Sequence, residues 1–161
     1  RQVLMIPRKG AEVAEITEKN MRDVLEVRKA LEELAVQLAC DKITKEEIEE
    51  MKKAAEDFKK ILKSKDITEI AEADVRFHDI IYMATDNQKL IQLLNNLREQ
   101  MYRYRVEYLK REEAHPQLIA EHAAIIEYIS KGEKKAATDI MCKHIDNQVT
   151  TVIDVIRTKQ N

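Results

Sequence analysis

Apolar residues in this chain recur every three or four positions over almost its whole length, a spacing that predicts helices rather than strands. In residues 21–41 the stripe is Met21, Val24, Leu31, Leu34, Ala35 and Leu38, and Arg28 interrupts it. Thr44-Lys45-Glu46-Glu47 has the form of a capping box and opens a second helix to about residue 64, with Ile48, Met51, Ala55, Phe58 and Leu62 inward. Asp66-Ile67-Thr68-Glu69 starts a third, whose inward stripe is Ile70, Asp74, Phe77, His78, Ile81 and Thr85. A fourth, over residues 88–111, carries Leu90, Leu94, Leu97, Met101, Arg105 and Tyr108. Pro116 suits the first turn of a fifth that ends at Lys131 with Gly132 as its cap, its stripe being Leu118, His122, Ile125 and Ile129. The sixth, residues 133–158, turns Ala137, Met141, His144, Ile145, Val149 and Val152 inward.

The first 16 residues differ from the rest. Two β-compatible runs, Val3 to Ile6 and Ala11 to Ile16, flank Pro7-Arg8-Lys9-Gly10, which has the turn chemistry of a hairpin with a basic tip. The chain opens on Arg1 rather than Met, so these residues are expected to end a preceding domain. The fold expected is therefore all-α: an antiparallel bundle of about six helices over residues 17–161, preceded by a remnant β-hairpin in residues 1–16.

Composition sharpens this picture. With 2 Gly and 2 Pro in 161 residues and 36% charged residues, the chain has the make-up of long helices joined by short connections. A formal charge of -2 gives no general attraction to nucleic acid or to anionic membranes, and the Tyr102-Arg103-Tyr104-Arg105 patch is too short to reverse that. No apolar run approaches the ~20 residues of a membrane span, so a soluble, cytoplasmic protein is expected. Cys40 and Cys142 sit inside helical patterns and are expected to be free, buried thiols.

The candidate chemistry lies on the inward stripes. Asp74 and His78 stand four residues apart, one turn above each other on a face that should be dry, and His122 and His144 occupy core positions on two further helices. A single inward histidine is more often a satisfied core residue. Three of them, with a carboxylate, match the way bundle metal sites are built, from side chains on facing helices. Three imidazoles and one carboxylate suit a borderline divalent ion, Zn or Ni foremost and Mn, Fe or Co as alternatives. Arg28 either snorkels, pairs with Glu32 at i+4, or binds an anion beside such an ion. Arg105, Tyr102 and, one turn after His144, Gln148 are further candidates to contact an anionic ligand. His115 is expected to be exposed, and Glu32 and Glu121 to flank the stripes without lying on them.

Taken in order, Glu26-Val27-Arg28 with Leu31-Glu32, Asp74-x-x-Phe77-His78 followed by Thr85-x-Asn87-x-x-Leu90, Glu121-His122-x-x-Ile125 with Gly132, and Met141-x-x-His144 resemble the FCD effector domain. That domain is the C-terminal half of FadR-type regulators in the GntR family, and the resemblance covers about residues 17–158. It implies that Asp74, His78, His122 and His144 bind a metal, and that metal and Arg together hold a small organic acid. It further implies that residues 1–16 are the wing of a winged-helix domain that binds DNA and whose recognition helix is absent here, and that the protein is a homodimer. Six helices rather than seven would place the chain in the shorter, VanR-like version. The function expected is metal-dependent sensing of a carboxylate by a transcriptional regulator, not an enzyme. A His/Asp metalloenzyme and a purely structural metal site are the alternatives.

Overall fold

The computed structural model describes residues 4–7 and 13–159. Among them are seven α-helices: α1 (Glu18–Lys42), α2 (Lys45–Ile61), α3 (Ile67–Ala84), α4 (Gln88–Asn96), α5 (Arg98–Leu109), α6 (His115–Ser130) and α7 (Lys134–Thr158). They pack as a bundle. The long helices α1 and α7 run antiparallel, as ion pairs from Glu18 to Arg157, Lys29 to Asp146 and Lys134 to Asp41 record along their length. Ahead of the bundle, β1 (Leu4–Pro7) and β2 (Val13–Ile16) pair antiparallel, with Leu4 opposite Ile16. Val3, Ala11 and the expected basic tip over residues 8–10 lie outside the described residues. No described helix is long and apolar enough to cross a membrane.

Local chemistry sets the helix starts. Thr44 and Glu47 form the full capping box at α2, each side chain bonding the other's backbone N–H, and Asp66 caps α3 by accepting from the N–H groups of Thr68 and Glu69. Asn87 caps α4 in the same manner. At the end of α6, Gly132 takes φ +69°, and Glu133 N–H reaches back to the Tyr128 carbonyl at 2.8 Å. A glycine there carries no penalty for the left-handed turn.

Three expectations about the helices and their exposed positions need correction here. The expected fourth helix is two, α4 and α5, which makes seven helices rather than six and removes the ground for the VanR-like assignment. The break is at Leu97, where the N–H bonds the carbonyl of Leu94, three residues back. Neither Gly nor Pro marks it, and the spacing Leu90, Leu94, Leu97, Met101 runs across it unchanged, so the apolar pattern hides it. In α1 the inward face is rotated by about one residue from the expected stripe: Leu34 is 42% exposed, while Leu25, Arg28, Glu32, Val36 and Ala39 are buried. The apolar pattern misleads here because two of the buried positions are charged. His115, expected to be exposed, is half-buried, with Nε2 2.8 Å from the Leu109 carbonyl.

The core divides into three apolar clusters. The largest joins Ala35, Val36, Ala39, Met51, Phe77, Ile81, Ile125 and Met141. A second gathers Met21, Leu25, Tyr104, Val152 and Ile156 around the outer ends of α1 and α7. The third packs Phe58, Ile70, Ala73, Tyr108 and Leu118. Removing the fully buried Phe58 ring from this third cluster (Phe58→Ala) should cost about 3–5 kcal/mol of unfolding free energy in urea titration, whereas Thr44→Ala at the exposed cap should cost about 1 kcal/mol.

Candidate functional site

Between those clusters, the same helices turn polar side chains inward. On α1 the buried face passes from Leu25 through Arg28 and Glu32 to Ala35, and on α7 from Ile145 through Gln148 to Val152, with His144 one position before. In α3, Asp74 and His78 separate Ala73 from Ile81. Arg105 of α5 stands between Tyr104 and Tyr108, and Glu121 and His122 of α6 stand between Leu118 and Ile125. All of these polar residues are buried. Five helices thus contribute to one polar band inside an otherwise apolar bundle.

Asp74 is its centre. Its Oδ2 accepts from Arg105 Nε at 2.6 Å, its Oδ1 accepts from His122 Nε2 at 2.9 Å, and His78 Nε2 lies 3.6 Å from the same Oδ1. Burial pushes the Asp74 carboxyl up, but the adjacent His78, the His122 hydrogen bond and the Arg105 charge together hold it well below the usual carboxylate range. It is an anion. One ligand atom from each of Asp74, His78 and His122 falls within 4.8 Å of the others. His144 stands outside that group of three, its ring 5.3 Å from the ring of His78 and nearly parallel to it. Phe77 stacks on His122 with ring centroids 4.1 Å apart, and Phe58 meets the same imidazole edge-on. Aromatic contacts on two sides fix its plane.

Glu121 was expected beside the stripe and is instead buried within the site. Its Oε1 accepts from His144 Nδ1 at 2.9 Å, which leaves His144 Nε2 as the free ring nitrogen. A carboxylate that orients an imidazole in this way is the usual partner of a metal-ligating histidine. Gln117 and Asn147 donate to the other Glu121 oxygen at 3.3 and 3.0 Å. Glu121 escapes sequence reasoning because a glutamate next to a histidine on a helix reads as a solvated flank. Its place immediately before His122, in the Glu121-His122-x-x-Ile125 pattern, was the available signal.

A second buried group adjoins the first. Arg28 donates from Nε to Glu32 Oε2 at 3.1 Å and from Nη1 to Gln148 Oε1, and Tyr82 donates its hydroxyl to the same Glu32 oxygen at 2.7 Å. Arg28 therefore makes the i+4 pair that its sequence allows and does not snorkel, being fully buried. Glu32, expected off the stripe, is fully buried too. Burial raises its carboxyl pKa, yet Arg28, His78 and the Tyr82 hydroxyl outweigh that and keep it ionised. Arg105, a candidate ligand-binding residue, is engaged by Asp74. Tyr102 lies apart from this band and lines an outer groove of about 620 Å³ with Glu72, Val75, Arg76, Asn95, Arg98 and Glu99. A narrow crevice of about 10 Å³ reaches inward to His78, Tyr82 and Arg105, and it shares Val75 and Arg98 with that groove. One water would fill it. Cys142 donates its thiol to Glu33 and takes no part in the band.

The residues fit a divalent ion. Both ring nitrogens of His78, Nδ1 of His122 and Nε2 of His144 are buried and make no hydrogen bond among the described residues. Leaving a buried polar atom unpaired costs about 1–3 kcal/mol. One nitrogen from each of three neighbouring imidazoles, beside an ionised carboxylate, is the donor chemistry of a borderline transition metal.

A sequence model of the FCD domain matches residues 23–147. Among curated proteins, the HTH-type transcriptional regulator YdhC of Bacillus subtilis (strain 168) is 26% identical over 141 residues; the match takes in 87% of this chain and 63% of YdhC. The chain thus spans less than two thirds of that relative. Among solved structures, McbR/YncC of E. coli superposes with a TM-score of 0.78 at 15% identity, covering 96% of this chain and 77% of that one. The metal-free FCD domain of TM0439 gives 0.72 at 21% identity, covering 90% of this chain and 99% of its own. At these identities the structural likeness establishes the fold.

The His78 environment has a consequence for stability. Burial pushes its imidazole down to about 4 from an ordinary 6.5, against the pull of Asp74. In the unfolded chain the same group takes a proton near 6.5, so between those two values the unfolded state binds more protons and stability falls as pH falls. Below the folded value this group adds nothing more to the loss. Urea unfolding of metal-free protein should lose roughly 3 kcal/mol across that window, and His78→Gln should flatten the slope.

Proposed function

The chain belongs to the FCD domain family, and on that premise we propose that it is the metal-dependent, effector-sensing domain of a GntR/FadR-type transcriptional regulator. FCD domains of such regulators are not enzymes. The observation that carries the reading is the pair of buried histidines, His78 and His122, gathered with an ionised Asp74, with unpaired ring nitrogens on both and on His144 stacked beside His78. Asp74, His78, His122 and His144 would hold the ion, with Zn or Ni the leading metals for this donor set and Mn, Fe or Co the alternatives. When bound, the metal would supply a positive, Lewis-acidic centre that attracts carboxylate oxygens.

The effector we propose is a small organic acid. Arg28 supports this, because its Nη2 is buried without a partner among the described residues while its other nitrogens are held by Glu32 and Gln148. A planar guanidinium fixed on two sides presents its remaining N–H groups in one direction, toward an acceptor of matching geometry. Gln148 orients it. Arg105 positions Asp74 and adds positive charge near the same place. Tyr102, on the outer groove, would meet an acid only on its way in.

Coupling follows from construction. Because five helices contribute to one band, a ligand that binds one of their packings better than another shifts the balance between them. The crevice beside His78 has room for about one water, so an acid requires a more open packing of α3 against α4 and α5. In the full protein such a shift would reposition DNA-binding domains attached through residues 1–16, the proposed end of a winged helix; the pairing of β1 with β2 supports that placement. A cytoplasmic homodimer that contacts DNA through the winged helix, and not through this segment, completes the proposal.

Elemental analysis after dialysis tests the metal set: His144→Ala and Asp74→Asn should each lose most of the bound ion. Glu121→Gln, which touches no metal, should weaken metal affinity by about tenfold to a hundredfold. Full metal retention in His144→Ala would overturn the proposed ligand set. In calorimetry, Arg28→Ala should weaken carboxylate binding by at least about tenfold with metal content unchanged.

A further inference from the structure

Beside the guanidinium assigned to the acid's carboxylate lies an acceptor that a simple carboxylate cannot satisfy. Glu32 receives both of its hydrogen bonds, from Arg28 Nε and from the Tyr82 hydroxyl, on one oxygen, Oε2. Its other oxygen, Oε1, is buried and has no partner among the described residues. Held by the Arg28 guanidinium and the Tyr82 hydroxyl, Glu32 is a carboxylate, and a carboxylate oxygen can only accept. Arg28 Nη2, on the paired residue, is an unsatisfied donor. The pair therefore offers one open donor and one open acceptor on side chains already bonded to each other.

We propose that Glu32 is the specificity-determining residue of the acid site and that its Oε1 reads a hydroxyl next to the ligand's carboxylate, so that the effector class is the hydroxy acids. This rests on the acid-sensing reading above and narrows it. A plain carboxylate would satisfy Arg28 but bring a second anion against Glu32 and leave Oε1 without a donor. A hydroxyl on the neighbouring carbon donates to Oε1 while the carboxylate accepts from Nη2, and both buried atoms are then paired. An ammonium group in the same place could also donate. It would bring three donors to a place where Glu32 Oε1 is the one unpaired buried carboxylate oxygen among the described residues, so a hydroxyl, with its single donor, is the better match. Sites built to bond a ligand hydroxyl discriminate strongly against the analogue that lacks it, because the protein's own polar atom is then left unpaired.

The test is calorimetry on zinc-loaded protein with matched acids: lactate against propionate, malate against succinate, gluconate against hexanoate, and alanine and aspartate as the amino counterparts. At least one hydroxy acid should bind about ten to a hundred times more tightly than its deoxy and amino partners. Hydroxy acids also chelate metals, so the decisive arm is Glu32→Gln, which keeps the side chain's shape and should cut that preference at least several-fold. Tyr82→Phe, which removes one of the two donors holding Glu32, should cut it less and guards against a Glu32→Gln variant that fails to fold. A preference fully retained in both variants assigns the hydroxyl to the metal and overturns the proposal. Deoxy or amino acids binding as tightly as hydroxy acids also overturn it, while leaving the acid-sensing reading intact. If none of the acids binds wild-type protein, the acid-sensing reading itself falls, and this proposal with it.

Discussion

An ionised carboxylate in the middle of a helical bundle is the constraint on which the rest of this structure depends. Removing a charge from water costs several kcal/mol even after relaxation, and the cost is tolerable only if partners surround it. Asp74 has them on every side: the Arg105 guanidinium at one oxygen, the His122 imidazole at the other, and His78 close by. Each partner comes from a different part of the chain, so α3, α5 and α6 must converge for the charge to be tolerated. Arg28 and Glu32 repeat the arrangement from α1, with Gln148 tying in α7 and Tyr82 tying in α3. The apolar clusters supply the driving force for burial, and the polar band between them fixes which helices meet and in what register.

Much of this was legible in the sequence, for a physical reason. On α3, α6 and α7 the apolar residues flanking Asp74, His78, His122 and His144 are numerous enough that the helical period points to the inward face despite the polar interruptions. Ile70, Phe77 and Ile81 leave no alternative face for α3. The caps at Thr44, Asp66 and Gly132 were equally plain, because their chemistry is local. Failure came where burial depends on a partner far away in the chain. Beyond the local Arg28–Glu32 pair, the burial of Glu32 and Glu121 goes with Tyr82 and His144, 50 and 23 residues further along, and no local pattern reports those partners. For the same reason the inward face of α1 was misplaced by about one residue: with Arg28 and Glu32 discounted as polar, the remaining apolar residues point to Leu34, which lies at the surface. The break at Leu97 was invisible because nothing in its side chains distinguishes a helix that bends there from one that continues.

The geometry also explains how so rigid an arrangement could act as a sensor. Space next to His78 and Tyr82 amounts to about 10 Å³, and the route outward passes Val75 and Arg98 into the groove between α3 and the α4–α5 break. Arg98 spans that route, bonded to Asp79 of α3 at 2.8 Å and to Asn95 of α4 at 3.0 Å. A ligand larger than water has to part these helices, and the free energy of its contacts with Arg28 and the metal is what would favour the parted packing. Under the proposed function, sensing would draw on the same band of residues that makes the buried charge tolerable.

Metal-edge X-ray absorption on the zinc-loaded chain tests the central claim most directly. The account predicts a shell of nitrogen and oxygen donors with the multiple-scattering signature of three imidazoles. A shell containing sulfur, or one without imidazole scattering, would contradict it.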